Sequence, residues 1–168
     1  MIRVILLVYD FLVAAARWTA MAALVLLVVL VTSAVVVRYF GIFGGSLHWV
    51  DEAGRFTMMW LVMLGSIVAL DRGAHLAVTL LPDALSPATR RAVLAASSLF
   101  SALFIVVLAW AGWQISLRTM GQVSPALGVR MGFVYMAIPV GATVMAFQML
   151  ALTILHRQPS TNATDLTF

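Results

Sequence analysis

LHWVDEAGRFTMMWLVMLGSIVALD, residues 47–71, decides how often this chain crosses a membrane. Its uncharged part, Phe56 to Leu70, is too short for a helical crossing, since about 20 residues of helix span a hydrocarbon core roughly 30 Å thick. The run reaches full length only if the helix begins near Leu47 and takes in Trp49, Asp51, Glu52 and Arg55. Ser46 then suits the N-cap. Asp51 and Glu52 lie near the positive end of the helix dipole. Arg55 stands four residues after Asp51 and three after Glu52, so it can pair with either acid. Trp49 suits the headgroup level.

The other crossings need no such extension. Uncharged runs lie between Arg17 and Arg38, between Arg91 and Arg118, and between Arg130 and His156. With the quoted stretch they give four spans, at about 18–38, 47–71, 87–118 and 131–155. Backbone groups in lipid must bond within their own segment, so the spans are helices. The alternation that marks barrel strands is absent. The fold class is therefore an all-α integral membrane protein, a single transmembrane domain over 1–156 with a polar tail at 157–168 that is expected to be disordered.

Composition agrees. The chain of 168 residues is 64% hydrophobic and 10% charged, with a mean hydropathy of +1.09. A soluble domain carries about 25% charged residues, so lipid must cover this one. All the basic residues are arginines, placed at the flanks of the spans. They read as membrane anchors and not as a nucleic-acid surface. The chain has no cysteine, which excludes disulfides and thiolate metal centres.

Residues 1–17, MIRVILLVYDFLVAAAR, carry Arg3, Asp10 and Arg17 at a spacing of seven, which puts them on one helical face. That pattern fits an interfacial helix or a helical extension of span one, retained and not cleaved as a signal peptide. Ser86-Pro87 marks the start of the third span. Pro139, within Ile138-Pro139-Val140-Gly141, should bend the fourth.

The spans carry no ionisable group in their middles, whereas a carrier of ions or protons usually has one there. Their serines and threonines, with Gln114 and Gln148, read as contacts that join helices. Ser97/Ser101 and Ala137/Gly141 have the small-xxx-small spacing of close packing. His48 and His75 fall at opposite ends of span two, so they cannot share a haem or metal; His75 with His156 could. No phosphate loop or nucleophile–base pair is present, and no inverted repeat of a self-contained transporter is visible. The expectation is a membrane subunit that is not an enzyme and holds no metal or cofactor. The alternatives are a stand-alone small transporter or channel, and a membrane anchor for a redox enzyme.

The order of short motifs resembles the small membrane subunit of tripartite ATP-independent periplasmic (TRAP) transporters, the DctQ-like family. The matching pieces are Arg38-Tyr39-Phe40, Trp49-Val50-Asp51-Glu52 with Arg55, Trp60, Leu64-Gly65 and Arg72-Gly73-Ala74-His75-Leu76. Leu81-Pro82, Arg90-Arg91, Ser124-Pro125-Ala126-Leu127-Gly128, and Tyr135 with Ile138-Pro139-Val140-Gly141 follow. Together they cover about residues 38–155. The family often has two glutamates where this chain has Asp51-Glu52. The resemblance implies four transmembrane helices in a bacterial inner membrane with both termini cytoplasmic. A weak arginine bias points the same way: Arg3, Arg17, Arg72, Arg90, Arg91 and Arg157 against Arg38, Arg55, Arg118 and Arg130. It also implies a large membrane subunit and a periplasmic substrate-binding protein as partners, in a sodium-coupled importer of organic acids. The small subunit would be the static scaffold beside an elevator-like large one. On that reading Trp49, Asp51, Glu52 and Arg55 form a cluster that fixes the start of helix two or contacts a partner. Asp71, Arg72 and His75 anchor the opposite boundary.

Overall fold

The computed structural model describes residues 2–41, 48–71 and 87–155. They form five helices: α1 (Ile2–Phe40), α2 (His48–Asp71), α3 (Pro87–Arg118), α4 (Met131–Tyr135) and α5 (Ala137–Leu155). There is no strand among the described residues; Val123 and Arg130 form an isolated bridge. Four helical segments are long and apolar enough to cross a membrane: Arg3–Phe40, His48–Asp71, Ala96–Arg118 and Met131–Leu152. Ser46, Ser86, Arg72, His75, His156 and the tail from 157 lie outside the described residues.

The disposition of residues 2–17, open in the sequence, and the bend expected at Pro139 are both visible in the helices. Residues 2–17 do not lie apart from span one. They continue into it as one helix of 39 residues, about 58 Å at 1.5 Å per residue. The fourth crossing is interrupted at Met136, between α4 and α5. Pro139 has no N–H to give to Tyr135, the carbonyl four residues back. The chain passes the gap with Met136 N–H on the Gly132 carbonyl at 3.0 Å and Val140 N–H on the Met136 carbonyl at 3.2 Å. After Phe40 the chain turns at Gly41, whose φ of 64° is the left-handed conformation that glycine supplies at helix ends.

The helices form an open row and not a closed bundle. α1 packs on α2 and, through its N-terminal part, on α5; α2 packs on α5 and α5 on α3, while α1 and α3 stand at opposite flanks with no close backbone approach among the described residues. α2 and α5 run in one direction, α1 and α3 in the other. Close packing is set by small residues. Gly141 on α5 faces Met63 of α2, where an added Cβ would stand 2.9 Å from the Met63 Cβ. Gly112 on α3 faces Ile138, with 2.6 Å to its Cγ2. Of the two small-xxx-small pairs, Ala137/Gly141 is therefore at an interface, while Ser97 is exposed. The core of the row comprises Ala16, Ile67, Leu70, Ile105, Ala142 and Met145. A second cluster, Tyr9, Val13 and Ala151, ties the N-terminal part of α1 to α5.

The polar residues divide by type. Ser33, Thr57, Ser66, Ser116 and Thr143 donate to carbonyls of their own helices, so these hydroxyls are satisfied locally and do not join helices by donation. Gln148 does join them. It is fully buried, and its Nε2 donates to the Ile67 carbonyl of α2 at 3.3 Å.

Candidate functional site: a carboxylate node at one end of the row

The start of α2 stands between the end of α1 and the turn that joins α3 to α4. Asp51 and Glu52 are neighbours in sequence, about 100° apart around a helix, and they reach different elements. Asp51 Oδ2 accepts from Arg38 Nη2 of α1 at 3.3 Å. Glu52 Oε2 accepts from the hydroxyl of Ser124 and from the backbone N–H groups of Ala126 at 3.1 Å and Leu127 at 3.0 Å. An ionised carboxylate is an acceptor only, which suits three converging donors. Arg55 makes no ion pair among the described residues. The expected pairing of Arg55 with either Asp51 or Glu52 is not made: Asp51 pairs with Arg38, which reaches back from the end of the preceding helix, and Glu52 accepts from the turn.

The turn that Glu52 holds is built for that contact. Ser124 N–H donates to the Val129 carbonyl at 2.9 Å, and Met131 N–H to the Gln122 carbonyl at 2.9 Å, closing a small hairpin. Gly128 N–H returns to the Ser124 carbonyl at 3.0 Å, and Gly128 has φ 67°. That left-handed step reverses the chain within a few residues. Leu127 N–H also reaches the Ser124 hydroxyl oxygen at 3.2 Å. Ser124 is buried, whereas Val123, Pro125, Ala126, Val129 and Arg130 are exposed. His48, Asp51, Glu52, Arg55, Pro125 and Ala126 line a shallow recess of about 440 Å³. Trp49 stands half exposed on the flank of α2.

At the other end, Asp71 accepts a hydrogen bond from Tyr9 of α1 at 2.7 Å. Thus α1 is tied to α2 at both ends, by Arg38–Asp51 and by Tyr9–Asp71. Arg72 and His75, the other expected anchors there, lie outside the described residues. No cluster of metal-ligating side chains is present among the described residues.

The sequence reading named Asp51, Glu52 and Arg55 as one group. It missed Ser124 and the amides of Ala126 and Leu127 as the partners of Glu52. A signal was present: Ser124-Pro125-Ala126-Leu127-Gly128 is a turn sequence with a hydroxyl at its start and glycine at its end. The fold brings this motif, the Arg38 motif and the Asp51-Glu52 motif into one cluster.

A chain made of four apolar crossings tied at their ends is an integral membrane component. Its family is shown by comparison with known proteins. The family described as "Tripartite ATP-independent periplasmic transporters, DctQ component" matches residues 27–158, and this chain belongs to it, as the small permease subunit of a tripartite transporter. It is similar to a TRAP transporter small permease protein of Haemophilus influenzae, 27% identical over 133 residues, 79% of this chain and 79% of the relative. It is similar to the ectoine TRAP transporter small permease protein of Halomonas elongata, 29% identical over 109 residues, 64% of this chain and 56% of that one. The C4-dicarboxylate TRAP transporter small permease protein of Rhodobacter capsulatus is 28% identical over 109 residues, 64% of this chain and 48% of its own length. Against the last two, the chain spans about half the length of the relatives.

Proposed function

We propose that this subunit is the stationary brace of a sodium-coupled importer of organic acids. It sits in a bacterial inner membrane with both termini cytoplasmic, beside a large membrane subunit that carries the solute and the sodium. The carrying observation is the open row. Its crossings have no charged residue between Arg17 and Arg38, Arg55 and Asp71, Arg91 and Arg118, or Arg130 and Leu155, and its flanking helices α1 and α3 do not close on each other. A solute path through lipid needs polar walls on all sides, and this arrangement favours a wall for a neighbour over a conduit of its own. The flanks also leave large apolar side chains uncovered, including Leu24 and Val28 on α1 and Leu103 and Val107 on α3. They are suited to lipid and to the large subunit. The relatives named for ectoine and for C4-dicarboxylates favour small polar or anionic solutes as the cargo of the complex. The subunit itself acts without catalysis and without a cofactor.

The end that carries Asp51 and Glu52 faces the periplasm on this reading. The charged groups left outward there, Arg55 and Arg130, with Trp49 and the 122–130 turn, form the side that a soluble binding protein would approach. Asp71, Arg72 and His75 would then stand at the cytoplasmic boundary. The test is co-purification. Affinity-tagged subunit, expressed with its neighbouring genes, should bring down a larger polytopic protein at a fixed ratio in mild detergent. Recovery of the chain alone, under conditions where the larger protein is expressed and folded, would reject the reading.

A further inference from the structure

Glu52 is the one acid of the node whose carboxylate is turned into the protein's own turn. Three donors separated from it by 72 to 75 residues of sequence meet on its Oε2. Two of them are backbone amides of a tight turn, and the third belongs to Ser124, which is 2% exposed. Removing the acceptor leaves that set of donors without its common partner. The hairpin's remaining order would rest on the few backbone bonds between 122 and 131 and on the Leu127 N–H bond to the Ser124 hydroxyl. Asp51 differs: its bond to Arg38 is single and exposed, with side chains 41% and 72% accessible.

We propose that Glu52 is a positioning residue: it holds the 124–127 turn in the shape that the soluble binding protein meets, and does not itself contact that partner. The proposal rests on the reading of the subunit given above. The residues that the fixed turn presents are Val123, Pro125, Ala126, Val129 and Arg130, all exposed. The surface that the turn offers to the partner is therefore mainly apolar with one cation, beside the exposed Gln122, and the Glu52 carboxylate is engaged by the turn itself.

The experiment compares the wild type with Glu52→Ala, Glu52→Gln and Ser124→Ala in the purified complex with the large subunit. One measurement is hydrogen exchange of peptides covering 119–131. The other is uptake into proteoliposomes as a function of added binding protein. Loss of the clamp should speed exchange of the turn about tenfold in Glu52→Ala, since protection in a locally opening segment follows its opening free energy. Glu52→Gln keeps one acceptor oxygen and should retain part of the protection. The binding-protein concentration for half-maximal uptake should rise in the same order, with the maximal rate kept. Glu52→Ala combined with Ser124→Ala should cost less than the sum of the two single changes, because they share the Ser124–Glu52 bond, while Ser124→Ala alone also removes the acceptor of the Leu127 N–H.

Unchanged exchange in Glu52→Ala overturns the clamp. Impaired docking in Glu52→Gln equal to that of Glu52→Ala, with the turn still protected, overturns it too, because Glu52 would then touch the partner through its charge. If Glu52→Ala fails to assemble, Ser124→Ala decides: protection and docking both unaltered reject the proposal. Wild-type uptake that needs no soluble protein rejects the underlying reading and the docking role. The exchange arm separates that outcome from failure of the clamp itself.

Discussion

Two adjacent acids at the start of α2 do different jobs because a helix turns them to different neighbours. Asp51 meets Arg38 in an exposed pair. Such pairs contribute about 0–1 kcal/mol, so Asp51→Asn should lower the thermal midpoint of the purified subunit by no more than about 2–4 °C; a larger drop would mean a buried role that the geometry does not provide. The sequence made the acids conspicuous, since they stand beside an apolar run in a chain with few charges. It could not choose their partners. Local spacing favoured Arg55, which is always within reach on the same helix. Arg38 lies across a loop, and Ser124 lies beyond the whole of α3. A contact over that separation depends on how the helices are placed, and no short-range pattern encodes it.

At the level of helices, close approach is written in glycine. An added Cβ at Gly132 would stand 2.7 Å from the carbonyl oxygen of Ser116, and one at Gly112 would stand 2.6 Å from Ile138. Backbone cannot yield as a flexible side chain does, so Gly132→Ala should destabilise by about 1–3 kcal/mol through overpacking. Gly65→Ala, with nothing within 4 Å of the added carbon, is the matched control. It should be neutral or gain up to about 1 kcal/mol from helix propensity. Thermal unfolding in one detergent distinguishes the two. Gln148 makes a sharper case. Its Nε2 is bonded to Ile67, but its Oε1 is buried without a hydrogen-bond partner among the described residues. An orphaned buried acceptor costs about as much as a hydrogen bond returns. Gln148→Leu should therefore leave the thermal midpoint unlowered, whereas Gln148→Glu, which places an acid there, should lower it clearly. The number of the long helices was legible in hydropathy and in the arginines that flank the apolar runs. The interruption at Met136 was legible only as a bend near Pro139, and the close contacts of Gly112 and Gly132 were not legible at all. A glycine in a helix looks the same in sequence whether it faces lipid or another backbone.

On the scale of the whole subunit, the order in space is not the order in sequence. α5 lies between α2 and α3, so the fourth crossing is inserted beside the second. This places the turn between α3 and α4 over the start of α2, where Glu52 can hold it. Tyr9 and Asp71 close the opposite end of the α1–α2 pair. The result is a wall fastened along both rims, with uncharged crossings between. Hydropathy alone reached the class of the molecule and the emptiness of its middles. The row arrangement was hidden, because every crossing is apolar around most of its surface and periodicity cannot say which faces meet.

The most direct test of the bracing role is solute flux. Reconstituted alone in sodium-free liposomes, the subunit should move no organic acid inward when sodium is added outside. Vesicles that also hold the large subunit, with the binding protein added outside, should show uptake. Sodium-driven uptake by this chain alone would contradict the account.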